Sequence, residues 1–174
     1  MIIGLLGQLR SGKSLATDIC LDYFEKGTAI RHPLANPIYT AAHKFYKENG
    51  LVWDCKDREL LQAMGKALNS KYPNGDKLIE LHKQTLPDKK IIIIEDVRRI
   101  EQYNYVKSIG GIFIRIECEK SIRKKRCEES GEIFTKGHIS DVELLNHDAD
   151  YIIENNGSVE EFTDKVLEVL HGKG

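Results

Sequence analysis

No run in this sequence is long and apolar enough to span a bilayer, and the N-terminus lacks the extended apolar stretch of a secretory signal. A charge excess of either sign is also missing. The chain carries 26 Lys+Arg against 27 Asp+Glu, a formal net charge of -1. A dedicated nucleic-acid binder draws affinity from a basic surplus, so that class is disfavoured and only local basic patches remain for phosphate. Cysteine is scarce: Cys20, Cys55, Cys118 and Cys127 form no C-x-x-C pair, and the six histidines show no metal-ligand spacing. Three of the cysteines fall in stretches patterned as helix or strand and read as small buried apolar residues. Their use fits a reducing, cytoplasmic setting. Low-complexity tracts, internal repeats and linkers are absent too. What is present, 41% hydrophobic and 30% charged residues over 174 positions, is the balance of one ordinary globular domain.

Strand and helix patterns alternate from end to end. Met1 to Leu6 is a short apolar run closed by Gly7. From Ser14 to Lys26, Leu15, Ile19 and Tyr23 recur every four residues beside Ala16, Cys20 and Phe24, the wide apolar face of a helix. Gly27 stands where a C-cap would. A brief strand near Thr28 to Arg31 gives way to helices over Ile38 to Asn49, Arg58 to Asn69 and Lys77 to Gln84. Ile91 to Ile94, apolar on both faces, fits a central parallel strand. A helix over Arg98 to Ile109, a strand from Ile112, a basic helix over Ser121 to Glu129 and a strand from Tyr151 follow. Ser140 to Glu143 and Ser158 to Glu161 both fit the capping box, so a helix is expected from each. The last should bury Val159, Phe162, Val166 and Leu170. Such alternation predicts an α/β domain with a parallel sheet and right-handed crossovers.

Gly7-Gln8-Leu9-Arg10-Ser11-Gly12-Lys13-Ser14 matches G-x-x-x-x-G-K-[ST] in full, between a buried strand and an amphipathic helix. Glycines let backbone N–H groups turn toward phosphate oxygens, and the helix that follows aims its positive end at the same anion. Lys13 is expected to reach the β- and γ-phosphates of ATP, and the Ser14 hydroxyl to ligate Mg²⁺. Such a loop needs a carboxylate near the metal. Asp96, at the carboxyl end of the isoleucine strand, is the candidate for that metal-side role; capping the next helix is the alternative reading. Strand alternation sends its neighbour Glu95 to the opposite face. Arg98 and Arg99 follow at once. A guanidinium suits a phosphate, so Arg98 is the candidate to hold an acceptor phosphate and Arg99 a surface residue. Arg123 and Arg126 share a helix face and are read as stabilisers of transferring charge, or as a solvated face. Lys124 and Lys125 read as solvated. The polar loop to Gly137, with two glycines, could hinge as a lid.

Taken in order, these segments resemble the phage-type deoxynucleoside monophosphate kinases, a branch of the P-loop nucleoside-monophosphate-kinase superfamily. The likeness rests on Gly7 to Ser14, His32 to Pro37, Arg58-Glu59-Leu60-Leu61-Gln62-Ala63-Met64-Gly65, Asp96-Val97-Arg98, Gly110-Gly111, His138 to Asp141 and Asn155-Asn156-Gly157-Ser158. It implies a three-layer α/β/α fold with a five-stranded parallel sheet in the order 2-3-1-4-5. A helical insertion for the acceptor would span about 38–84, and a lid-like segment about 119–137. It implies ATP and Mg²⁺ bound by Gly7, Arg10, Ser11, Gly12, Lys13, Ser14 and Leu15, with Arg123. Asn155 and Gly157 would lie near the adenine; Arg58, Gln62, Asp96 and Arg98 would serve the acceptor. The implied partner is a small-molecule nucleotide, with no nucleic acid or membrane, for a protein that is a monomer or a homodimer.

Two positions depart from the branch. Ser140 is followed by Asp141 rather than glutamate, and Ile38 stands where a basic residue is usual after Pro37. Animal phosphomevalonate kinases are similar at Asp96 to Arg99 and at Ile133-Phe134-Thr135, and dephospho-CoA kinases share the phosphate loop and the Asn-x-Gly end. A nucleotide-gated binding module with slow NTPase activity is the alternative of a different class.

Overall fold

The computed structural model of the chain describes residues 1–53, 57–73, 76–88, 90–131, 134, 143–144 and 147–172. Five strands form one parallel sheet: β1 (Ile2–Leu6), β2 (Ala29–Arg31), β3 (Ile91–Ile94), β4 (Gly111–Glu117) and β5 (Tyr151–Glu154), ordered β2-β3-β1-β4-β5. That is the expected order. The four isoleucines of β3 lie between β1 and β2, with Ile2, Ile3 and Gly4 in register with Ile92, Ile93 and Ile94. Covered on both faces, Ile92, Ile93 and Ile94 are buried.

Seven helices appear among the described residues: α1 (Lys13–Tyr23), α2 (Asn36–Glu48), α3 (Arg58–Lys71), α4 (Asp76–Thr85), α5 (Ile100–Ser108), α6 (Lys120–Glu129) and α7 (Val159–His171). The chain divides into two compact units, Met1–His32 with Asp88–Gly174, and Pro33–Pro87. In the first, α1 and α7 cover one face of the sheet. Ile3, Leu5, Ile93, Ile114 and Ile116 meet Ile19 and Cys20 of α1 and Phe162, Val166 and Leu170 of α7. On the other face α5 packs on β4, where the Tyr103 ring stacks on Phe113 with centroids 4.4 Å apart.

In the second unit α2 packs on α3 and α4. The one tryptophan, Trp53, lies 4.2 Å from the His43 ring and edge-on to Tyr46 at 4.9 Å. Tyr46 donates from its hydroxyl to Asp57 at 2.5 Å, and Asp57 accepts the Leu60 N–H at 2.9 Å as the N-cap of α3. The Tyr46 hydrogen bond, then that of Leu60, hold the Asp57 carboxyl below its ordinary range. This cap is therefore intact at neutral pH and is lost only as pH falls through that lowered value.

Two element ends and one position expected to be buried differ most from the sequence reading. α1 stops at Tyr23, because Phe24 turns extended and packs its ring on the core; Gly27 sits beyond, in a turn. α5 starts at Ile100, since the Gln102 side chain accepts the N–H groups of Arg98 and Arg99 and holds both residues outside the helix. Val159 is 57% exposed, at the first turn of α7 where the Ser158–Glu161 capping box lifts it off the sheet. The helix expected from Ser140, with the His138–Asp141 motif, lies outside the described residues.

Phe162 and Val159 thus make a paired test of the α7 face. Phe162→Ala is expected to lower stability by about 3–5 kcal/mol. Val159→Ala should stay within about 0.5 kcal/mol. Urea midpoints at constant slope measure both, and equal losses would contradict this orientation of α7.

Candidate active site

The loop from Gly7 to Gly12 turns on backbone conformations that side chains resist. Gly7 has φ 149°, Gly12 has φ 112°, and Arg10 adopts a left-handed φ of 62°. A Cβ on Gly7 would lie 2.5 Å from Ser11 Oγ and 2.6 Å from the Ile116 carbonyl; one on Gly12 would lie 2.2 Å from Asn155 Nδ2. Gly12 also stands at the N-cap of α1, which has no side-chain cap. An uncapped helix start behind a glycine turn is an anion cradle. Lys13 folds across it, donating from Nζ to the Gly7 carbonyl at 2.6 Å and the Gln8 carbonyl at 3.0 Å. Ser11 is 1% exposed, and its hydroxyl has no hydrogen-bond partner among the described residues. An orphaned hydroxyl, a flexible cation and an open helix start fit the phosphates of a nucleotide. Ser14 is exposed in the first turn, and Leu15, half-buried, packs on the core.

Alternation along β3 sends Ile91, Ile93 and Glu95 to the α1 side of the sheet. Glu95 accepts a hydrogen bond from the Thr17 hydroxyl at 2.9 Å and lies 3.6 Å from Arg31 Nε. Arg31 in turn pairs with Asp18 at 2.7 Å and donates to the Ser14 carbonyl at 3.4 Å. Thr17 and Arg31 had no place in the sequence reading of the site, and Glu95 entered it only as the competitor to Asp96 for the metal side. The available signal was Thr17, one turn beyond Lys13: it is a hydroxyl on an otherwise apolar helix face, and it is fully buried. Asp96, half-buried, follows just beyond the end of β3.

The arginines divide by partner. Arg99 pairs with Glu101 at 3.4 Å. Arg98 is exposed, and its guanidinium has no partner among the described residues. Arg123, 7% exposed, donates to the Cys118 carbonyl at 3.1 Å and the Leu9 carbonyl at 3.5 Å, and lies over the Phe134 ring. Arg126 donates to the Arg10 carbonyl at 3.4 Å and to Asn155 Oδ1 at 3.2 Å. Both thus bind the carbonyl side of the phosphate loop. Arg10 itself reaches Ser130. Lys124 and Lys125 are solvated and pair with Glu128 and Glu129.

Asn155 is 3% exposed against Ser11, while Gly157 leaves room for the Glu161 carboxylate that completes the α7 capping box. A cavity of about 330 Å³ opens beside the loop at the ends of β1, β4 and β5, walled by Gly7, Ser11, Cys118, Glu119 and Asn156. Gln62 is exposed on α3; Arg58 opens that helix, and its side chain lies outside the described residues. Burial pushes the Cys20 thiol up to about 12, and Cys127 is buried. Among the described residues no group of His, Cys, Asp and Glu is arranged to hold a metal by itself, and no helix is long and apolar enough to cross a membrane.

No protein-family model matches the chain. It is 25% identical, across 96% of its length and 94% of the other's, to a protein of Acanthamoeba polyphaga mimivirus described as "Putative deoxynucleotide monophosphate kinase". Among solved structures it is similar to the shikimate kinase of Aquifex aeolicus, with TM-score 0.56 and 19% identity over 99% of this chain and 98% of that one. It is equally similar to the Mycobacterium tuberculosis APS kinase in complex with AMPPNP and APS, with TM-score 0.56 and 13% identity over 98% and 96%. The chain has the P-loop kinase fold, and its likeness to the mimivirus protein runs through nearly all of both sequences.

Proposed function

We propose that the protein transfers the γ-phosphoryl group of ATP to a deoxynucleoside monophosphate. An oxygen of the acceptor phosphate forms the new bond to phosphorus, the bond to the β-phosphate oxygen breaks, and a diphosphate and ADP leave. The donor assignment draws on the cradle from Gly7 to Ser14 and on the AMPPNP held by the APS kinase of the same fold. The observation that carries the acceptor class is the Asp96-Val97-Arg98 strand end. There Gln102 holds the backbone, while the Arg98 guanidinium has no partner among the described residues. A phosphate suits an exposed guanidinium on a backbone anchored there. The near full-length likeness to the mimivirus protein described as "Putative deoxynucleotide monophosphate kinase" supports the same acceptor.

Lys13 would hold the transferring phosphoryl group, and Ser14 and Asp96 would hold Mg²⁺, which supplies charge neutralisation between the phosphates. The acceptor phosphate is already a nucleophile, so the protein needs no general base. Its contribution is positioning and electrostatic stabilisation.

ADP formation with ATP–Mg²⁺ against deoxy- and ribonucleoside monophosphates, phosphomevalonate and dephospho-CoA tests this reading. Turnover with a deoxynucleotide supports it. Turnover confined to phosphomevalonate or dephospho-CoA keeps the phosphoryl transfer and replaces the acceptor, and acceptor-independent hydrolysis favours the nucleotide-gated module. With the acceptor known, Arg98→Ala is expected to raise its KM about 10–100-fold, the loss of a charge-assisted contact. The KM for ATP should move less than about 2-fold. A defect confined to ATP would remove Arg98 from the acceptor site.

A further inference from the structure

We propose that Asn155 is a positioning residue for the phosphate loop and that Arg126 supports the loop both through it and at the Arg10 carbonyl; this rests on the reading that the loop binds a nucleoside triphosphate. Asn155 directly follows β5. Its backbone N–H donates to the Glu117 carbonyl at 2.8 Å, extending the sheet pairing by one step. Its side chain is 3% exposed and turns inward, where Nδ2 donates to the Ser11 carbonyl at 2.7 Å. Arg126 donates to Asn155 Oδ1 at 3.2 Å and to its carbonyl at 3.3 Å, and from its other nitrogen to the Arg10 carbonyl at 3.4 Å.

The chemistry fixes which way the amide points. A carbonyl on one side requires a donor, and a guanidinium on the other requires an acceptor. A buried primary amide supplies both within one side chain. Aspartate would set a carboxylate oxygen against the Ser11 carbonyl, and serine would fall short of one partner. The space that Asn155 Nδ2 fills is the one a Cβ on Gly12 would need, 2.2 Å away. The absent side chain at Gly12 thus serves two ends. It permits the backbone turn, and it admits the amide that holds Ser11 in place.

Three segments are thereby joined: the loop at Arg10 and Ser11, the end of β5, and α6. A group so committed cannot read a base. Asn155 should therefore affect every triphosphate equally, in contrast to the adenine-side role that the resemblance implies for it.

Asn155→Ala, Asn155→Asp, Arg126→Ala and the Asn155→Ala/Arg126→Ala double variant test this. In the nucleotide-free protein, hydrogen exchange of amides 8–14 is expected to rise roughly 10-fold in both Asn155 variants, the factor that one lost buried hydrogen bond carries. Amides of α7 should keep their protection. The KM values for ATP and GTP should rise by the same factor, about 10-fold, leaving their ratio unchanged. The double variant should fall short of the product of the two single effects, since the Arg126–Asn155 hydrogen bond is lost in either single variant and only the Arg126–Arg10 contact is lost with Arg126 alone. A shifted ATP/GTP ratio, multiplying effects in the double variant, or unaltered loop exchange would each overturn the proposal. Lost protection across α7 as well would also overturn it, because Asn155 would then support the whole unit. Asn155→Asp, which keeps the residue's size, decides the same question if the alanine variant does not fold. If the wild-type protein binds no triphosphate, the nucleotide reading fails, while the exchange comparison still decides the role of Asn155.

Discussion

Lys13→Ala is expected to lower kcat by at least about 10³-fold, roughly 4 kcal/mol of transition-state stabilisation. The ammonium now rests on the Gly7 and Gln8 carbonyls, 2.6 and 3.0 Å away, inside the turn that the glycines make possible. Phosphoryl transfer spreads charge over the phosphoryl oxygens, and a cation on a flexible stem inside that turn can follow it. Arginine should not rescue, because its planar fork is larger than the place an ammonium occupies. The fold should survive, since the carbonyls that Lys13 now satisfies sit at a part-buried loop that water can reach; the stability loss should be near 1 kcal/mol. Steady-state kinetics together with a urea melt separate the two effects. A correctly folded Lys13→Ala protein with near-normal turnover would remove Gly7 to Ser14 from the chemistry.

The parts of this protein legible in its sequence are those written in backbone-scale patterns. Four consecutive isoleucines can only be satisfied between two other strands, and Ile91–Ile94 lies between β1 and β2. The phosphate loop declares itself because Gly7 and Gly12 need conformations and clearances that other residues lack. The Ser158–Glu161 capping box is a purely local device, and it formed as read. What periodicity does not carry is the direction of a side chain once its element ends. Phe24 leaves the α1 repeat to reach the core, and Val159 belongs to the α7 repeat yet points to water. Arg123 and Arg126 sit on a basic helix whose lysines are solvated, while these two face loop carbonyls. No charge count separates those fates, because the partners are backbone oxygens more than a hundred residues away. Arg31 and Glu95 meet for the same reason: parallel pairing brings the ends of β2 and β3 to the first turns of α1.

The two carboxylates at the end of β3 should behave differently when neutralised. Asp96→Asn is expected to lower kcat about 100-fold, near 2.7 kcal/mol, and to raise the Mg²⁺ concentration for half-maximal rate about 10-fold. Its neighbour is already engaged. Glu95 accepts the Thr17 hydroxyl and faces Arg31, and a glutamine could still accept from Thr17. Its side chain is 20% exposed and that of Arg31 37%, so the ion pair is partly screened. Glu95→Gln should then cost at most about 1 kcal/mol of stability and change the Mg²⁺ requirement by less than about 3-fold. Magnesium titrations of the two variants at saturating ATP decide between them. If Glu95→Gln carries the metal defect and Asp96→Asn does not, the metal side of the site belongs to the α1 face of the sheet. Arg31, joined to Glu95, Asp18 and the Ser14 carbonyl, would then be the cation that the metal must displace or share.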